Sequence, residues 1–152
     1  MKKNKLKIEQ LSNKLKQYQL AGEIIRPNMG WIKTIRTSLG MSLEQLGNRL
    51  GITRQSVQHL EKREADGSLT IKALEEAGRA MDMQLIYGFV PLDGSLEKLI
   101  EKKAKKLATE IVLRTSSSMV LEDQENSPER IKKAIAERTN EIIHEMPKIL
   151  WD

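Results

Sequence analysis

Ser42-Leu-Glu-Gln-Leu-Gly-Asn-Arg-Leu-Gly51-Ile-Thr-Arg-Gln-Ser-Val-Gln-His-Leu-Glu61 is the stretch on which the fold turns. Leu43, Leu46 and Leu50 recur at spacings of three and four, which places them on one face of a helix. Ser42, with Gln45 three residues later, has the pattern of a capping box that starts this helix, and Gly51 closes it. Thr53 is placed to cap a second helix that turns Val57 and Leu60 inward. Leu46, Leu50, Ile52, Val57 and Leu60 are therefore expected to share one core. Gly47 is expected where the two helices cross, and Gly51 is expected to supply a left-handed turn. Two short helices joined by a four-residue turn at this spacing let one helix lie in a major groove while the other braces it.

Working outward, Trp31, Ile32, Ile35 and Leu39 line a preceding helix that Gly40 ends. A following helix runs from about Thr70 to Met81 with Ile71, Leu74, Ala77 and Met81 on its apolar side. Arg26-Pro27-Asn28-Met29-Gly30 marks a boundary, because proline disfavours helix at the residue before it and glycine loosens the backbone. The helix beginning at Arg54 exposes Arg54, Gln55, Ser56, Gln58 and His59 near its N-terminus. Side chains of this kind can read bases, since arginine pairs bidentately with guanine and glutamine with adenine. Lys33, Ser42, Arg49, Thr53, Lys62 and Arg63 are candidates for phosphate contacts, which fix register without reading sequence. The plain alternative is a polar, solvated helix face.

Residues 30–81 resemble the Xre and phage-repressor helix-turn-helix domains, and the expected architecture is mainly α: a lambda-repressor-like domain over residues 30–82. The resemblance implies that Arg54, Gln55 and His59 stand at base-reading positions, with Ser56 and Gln58 as lesser candidates. It also implies that Arg36 and Glu61 form a structural ion pair joining the first helix to the reading helix. The chain departs from the family at Leu43, where glutamine commonly buttresses a phosphate contact, and at Gly47, where alanine is common.

The remainder of the chain is read from pattern and composition. Hydrophobic residues make up 39% of the 152 and aromatics only 3%, a mix of Leu, Ile, Val, Met and Ala that suits helices better than sheets. With no cysteine, disulfides and thiolate metal sites are excluded. Residues 1–29 hold seven Lys/Arg against two acids and residues 30–81 eight against six, while residues 95–152 hold eleven of each. This basic excess in the N-terminal half suits a nucleic-acid binder. Residues 1–29 form a basic arm whose helix carries Ile8, Leu11, Leu15 and Tyr18 on one face, for packing on its own domain or a dimer partner, or as a DNA-contacting arm. Residues 83–91, rich in β-branched and aromatic residues and ended by Pro91, read as one β-strand. A lone strand would find its partner in the same strand of a second subunit, giving a homodimer ribbon. Residues 95–152 form a C-terminal helical region: a helix capped by Ser95, interrupted at Ser116 to Ser118, and a last helix with Ser127 as N-cap and Pro128 at its first position.

The extensions narrow the resemblance. Pro27-Asn-Met-Gly-Trp-Ile-Lys-Thr-Ile-Arg36, Leu85-Ile-Tyr-Gly-Phe-Val-Pro91, Ser118-Met-Val-Leu-Glu-Asp-Gln124 and Leu150-Trp-Asp152 are similar to the helix-turn-helix family called mobile mystery protein A. That resemblance implies an antitoxin-like regulator encoded beside mobile mystery protein B, a Fic-domain protein. Ser118 and Glu122 further resemble the serine and glutamate of the helix that silences many Fic enzymes, and the plain alternative is an ordinary helix surface. The expectation is thus a cytoplasmic, nucleoid-associated regulator of double-stranded DNA that binds an inverted-repeat operator as a homodimer. No membrane, metal or other cofactor is expected. An enzyme is not expected either, because His59 and His144 lie in separate patterns and no phosphate loop or metal-ligand spacing is present. The competing class is a protein-binding inhibitor whose C-terminal helices neutralise a partner enzyme. RNA binding is disfavoured by the shortage of stacking aromatics.

Overall fold

The computed structural model describes residues 2–121 and 127–152, and the chain folds as two compact units, one of residues 21–88 and the other of residues 1–20 with 89–152.

The first unit holds four helices: α2 (Trp31–Ser38), α3 (Leu43–Leu50), α4 (Arg54–Asp66) and α5 (Ile71–Ala80). Their boundaries follow the caps written in the sequence. Ser42 and Gln45 form a reciprocal capping box at the start of α3. Thr53 and Thr70 each accept a hydrogen bond from the backbone N–H three residues on, at the starts of α4 and α5. Gly51 ends α3 at φ 70°, a conformation in which a β-carbon would be strained. The core consists of Ile32, Leu46, Val57, Ala77 and Met81, with Ile35, Leu43, Leu50, Leu60 and Leu74 packed around it. Four residues expected to line this core are exposed instead, Trp31, Leu39, Ile52 and Ile71; at the first two, α2 is only two turns long and buries a single stripe through Ile32 and Arg36.

Gly47 is buried where α3 meets the turn into α4. A β-carbon there would stand 2.7 Å from the Ile52 carbonyl oxygen, a backbone atom that cannot swing aside. Gly47→Ala is therefore expected to lower the stability of this unit by about 1–3 kcal/mol through overpacking. An unchanged or raised melting temperature in a thermal denaturation would contradict this close approach.

The second unit is built from α1 (Lys2–Lys16), α6 (Leu96–Leu121), α7 (Pro128–Glu145) and a short 3-10 turn, Lys148–Trp151. Ile100, Ala104, Ala108, Ile142 and Leu150 form its core, and Ile8, Leu107, Ile111, Ile135 and Met146 pack against them. Ala104 and Ala108, one turn apart on α6, are small enough to let α7 lie close. Ser127 caps α7 and Pro128 begins it, where a missing N–H costs nothing. The α1 helix is fastened to the start of α6: the Ser12 hydroxyl donates to the Glu97 carboxylate at 2.6 Å, and the Gln19 side-chain amide donates to the Gly94 carbonyl at 2.8 Å. The hydrogen bond from Ser12 holds the Glu97 carboxyl below the usual carboxylate range.

Two expectations are corrected. No strand is present among the described residues: residues 83–90 have no regular structure, and Ile86, Tyr87 and Phe89 are exposed. Composition alone does not make a strand. It needs a ladder partner for its N–H and C=O groups, and neither unit offers one. The expected interruption at Ser116 to Ser118 is also absent, since α6 runs through it. Serine and threonine hydroxyls are tolerated there by bonding back one turn, Thr115 to the Ile111 carbonyl and Ser118 to that of Arg114.

Candidate nucleic-acid interface

The reading helix is held from its inward side. Val57 is completely buried against Leu46, and one turn on Glu61 reaches Arg36 of α2. The Arg36 guanidinium donates through Nε and Nη2 to the two oxygens of Glu61, and through Nη1 to the Met41 carbonyl at 2.9 Å. Both side chains are nearly buried, at 9% and 5% exposure. A bidentate, fully hydrogen-bonded pair of this kind fixes the rotation of α4 relative to α2, which decides which side chains face outward.

A second carboxylate performs a related task, and the sequence reading missed it. Glu64, one turn beyond Glu61, is buried and accepts from the backbone N–H groups of Trp31 at 3.0 Å and Ile32 at 2.8 Å. Gly30, at φ 82°, has no side chain to cap α2, so a glutamate from another helix supplies the acceptor. A β-carbon on Gly30 would lie 2.7 Å from that glutamate oxygen. The signal in the sequence was only that Glu61 and Glu64 share the helical face of Val57 and Leu60. Their partners come from a different part of the chain, and helical spacing alone does not reveal them.

The outward side of α4 carries five of the expected site residues. Arg54, Gln55, Ser56, Gln58 and His59 are all exposed, within its first two turns. At 100° per residue, Gln55, His59 and Lys62 fall on one stripe, with Gln58 and then Arg54 along one flank of it. Gln55, Ser56, His59 and Arg63 also line an open groove completed by Leu60, Leu69 and Ala73. Ser56 is less free than its neighbours, because its hydroxyl accepts from that of Thr53 at 2.9 Å within the cap.

The six phosphate candidates divide. Ser42 and Thr53 spend their side-chain oxygens on caps. Arg49 reaches across to α5, donating to the Ala80 carbonyl at 3.0 Å with Asp82 at 3.4 Å. Arg63 donates to the Ser68 carbonyl at 3.3 Å and steadies the loop after α4. Lys33 is half-buried and Lys62 exposed, and neither forms an ion pair among the described residues. In the other unit, Ser118 is exposed with its hydroxyl on the Arg114 carbonyl, while Glu122 lies outside the described residues. Among the described residues, no group of acidic or histidine side chains is arranged to hold a metal ion, and no helix is long and apolar enough to cross a membrane.

Residues 32–85 match the family described as Helix-turn-helix, a DNA-binding domain of Xre-like type. The match takes in α2 from its second residue together with α3, α4 and α5, and leaves α1, α6 and α7 outside it. The chain matches no curated protein and no solved structure.

Proposed function

We propose that the protein is a sequence-specific transcriptional regulator that places α4 in the major groove of double-stranded DNA. The observation that carries this reading is the division of α4 itself. Its inward face is locked by Val57, Glu61 and Glu64, while its first two turns present Arg54, Gln55, Gln58 and His59 outward with nothing packed over them. A rigid helix with free amide, guanidinium and imidazole groups at its leading end is what base-edge readout requires. Lys33 and Lys62 are the phosphate contacts best placed to act, because Ser42, Thr53, Arg49 and Arg63 already serve caps and loops; the latter two can add to the field without leaving their carbonyl partners.

The finer part of the proposal is an autorepressor that acts as a homodimer on an inverted repeat and serves as the antitoxin-like partner of a Fic-domain protein. It rests on the resemblance at Ser118–Gln124 and the other extension motifs, not on the match over residues 32–85. Two-fold symmetry would set the half-sites about one helical turn, roughly 34 Å, apart.

The test is retention of the purified protein on its own upstream DNA at fixed salt against excess random duplex. Selective retention, with footprints at two half-sites one turn apart, is expected. Equal, salt-sensitive retention on any duplex would overturn sequence reading, and a single unpaired footprint would overturn the dimer.

A further inference from the structure

The positive charge of this chain is concentrated away from the helix that would read bases. Residues 21–88 carry nine Lys/Arg against eight Asp/Glu, so the helix-turn-helix unit is nearly neutral. One of those nine, Arg36, is cancelled by Glu61 in the interior. The other unit carries seventeen Lys/Arg against thirteen Asp/Glu, unevenly placed. Its helix α7 is balanced, with four of each sign, whereas α1 holds six lysines and one glutamate, and the start of α6, residues 96–106, holds five lysines and two glutamates.

The α6 lysines form a surface. On α6, Ile100, Ala104, Ala108 and Ile111 turn inward. At 100° per residue, Lys98, Lys102, Lys105 and Lys106 then fall on the opposite side, with Lys103 on its flank, and all five are exposed. The α1 helix packs on the opposite, core-facing side of α6 through Ile8 and the Ser12–Glu97 bond, and its lysines are spread over more than half of its circumference, so they raise the charge of this unit without joining the α6 face. Lys102 is bonded to Asp93 at 2.9 Å, and among the described residues no other lysine of this group has an ion-pair partner. Concentrated, uncompensated charge costs self-repulsion unless it meets a polyanion.

We infer that the lysine face of α6 is a second DNA-binding surface, one that grips phosphates without reading sequence and supplies backbone affinity that the nearly neutral reading unit lacks. The identity of the polyanion rests on the proposed function. The chemistry favours a duplex: the residues are lysines, point charges on flexible stems that suit phosphates irrespective of register. Lys98 to Lys106 spans about 12 Å of helix, enough to meet several phosphates, which follow one another every 3.4 Å or so along each strand. A membrane is a poorer fit, because the apolar stripe with which an interfacial helix would insert is already buried in the core.

The test uses the full chain with Lys98, Lys102, Lys105 and Lys106 all changed to glutamine, checked for unchanged circular dichroism. Binding to the upstream DNA and to a random duplex is titrated between about 50 and 200 mM salt. The slope of log K against log salt is expected to fall by about 2–4 on both duplexes, at roughly 0.9 per phosphate released, with the ratio between the duplexes preserved. An unchanged slope overturns the inference. So does an unchanged slope accompanied by lost retention on phosphatidylglycerol vesicles, which would assign the face to a membrane. If the wild type shows no preference for its upstream DNA while the variant still loses slope on random duplex, sequence reading fails and this surface stands.

Discussion

Glu61→Ala is expected to destabilise the helix-turn-helix unit by about 3–5 kcal/mol, because it strands the Arg36 guanidinium in the interior. Arg36 keeps only its bond to the Met41 carbonyl, and the Nε and Nη2 protons that met Glu61 find no water at 9% exposure. At roughly 0.05–0.15 kcal/mol per residue, a unit of this size holds about 3–10 kcal/mol in total. The variant should therefore lose between about a third and all of the stability of this part of the chain, while α1, α6 and α7 keep their own core. Urea titration followed by Trp31 fluorescence in a Trp151→Phe background isolates the affected unit, since the two tryptophans lie in different units. The paired replacement Arg36→Met with Glu61→Leu removes both charges and fills the space. It should recover most of the loss, because the penalty comes from the unpartnered charge more than from the absence of attraction. A Glu61→Ala midpoint within about 0.5 kcal/mol of wild type would mean that the guanidinium finds solvent and that the pair does not hold α4 in place.

The two carboxylates under α4 also show how far the sequence could be read. Spacing along a helix reveals what one element does by itself. Leu46, Leu50, Val57 and Leu60 disclosed the crossing of α3 and α4, and the caps at Ser42, Thr53 and Ser127 were written next to the helices they start. The Arg36–Glu61 pair was accessible only through a family resemblance. Glu64, which caps α2 from thirty-odd residues away, was not accessible at all, since nothing in its neighbourhood says which N–H groups it will meet. The same limit explains Arg49: on the sequence it is a free cation on a helix near DNA, and in the fold it braces the end of α5. The segment 83–90 fails in the opposite direction. Its residues suit a strand, but a strand is a property of a pair, and the chain provides no second member among the described residues.

The other large effect concerns DNA rather than stability. Arg54→Ala with Gln55→Ala should abolish most of the preference for the upstream operator over random duplex while leaving the fold untouched. Both side chains are exposed, the Thr53 cap and the Val57 anchor remain, and alanine is at least as good a helix former as the residues it replaces. Each bidentate contact to a base edge is worth about 1–3 kcal/mol of discrimination, so the pair should cost between about thirtyfold and twenty-thousandfold in the operator-to-random ratio. Random-duplex affinity should change little, because only one charge is removed, and the salt slope should fall by no more than about one. That pattern is the reverse of the one expected from the lysine face of α6, where the slope falls and the ratio holds. Carried out side by side on the same two duplexes, the two sets of replacements separate reading from gripping. A double variant that keeps its ratio within about threefold would remove Arg54 and Gln55 from base readout and leave only Gln58 and His59 as free side chains at the head of α4 to perform it. With Ser56 already engaged by Thr53, those two could specify at most a pair of base positions per half-site, too few for an operator to be distinguished from chance.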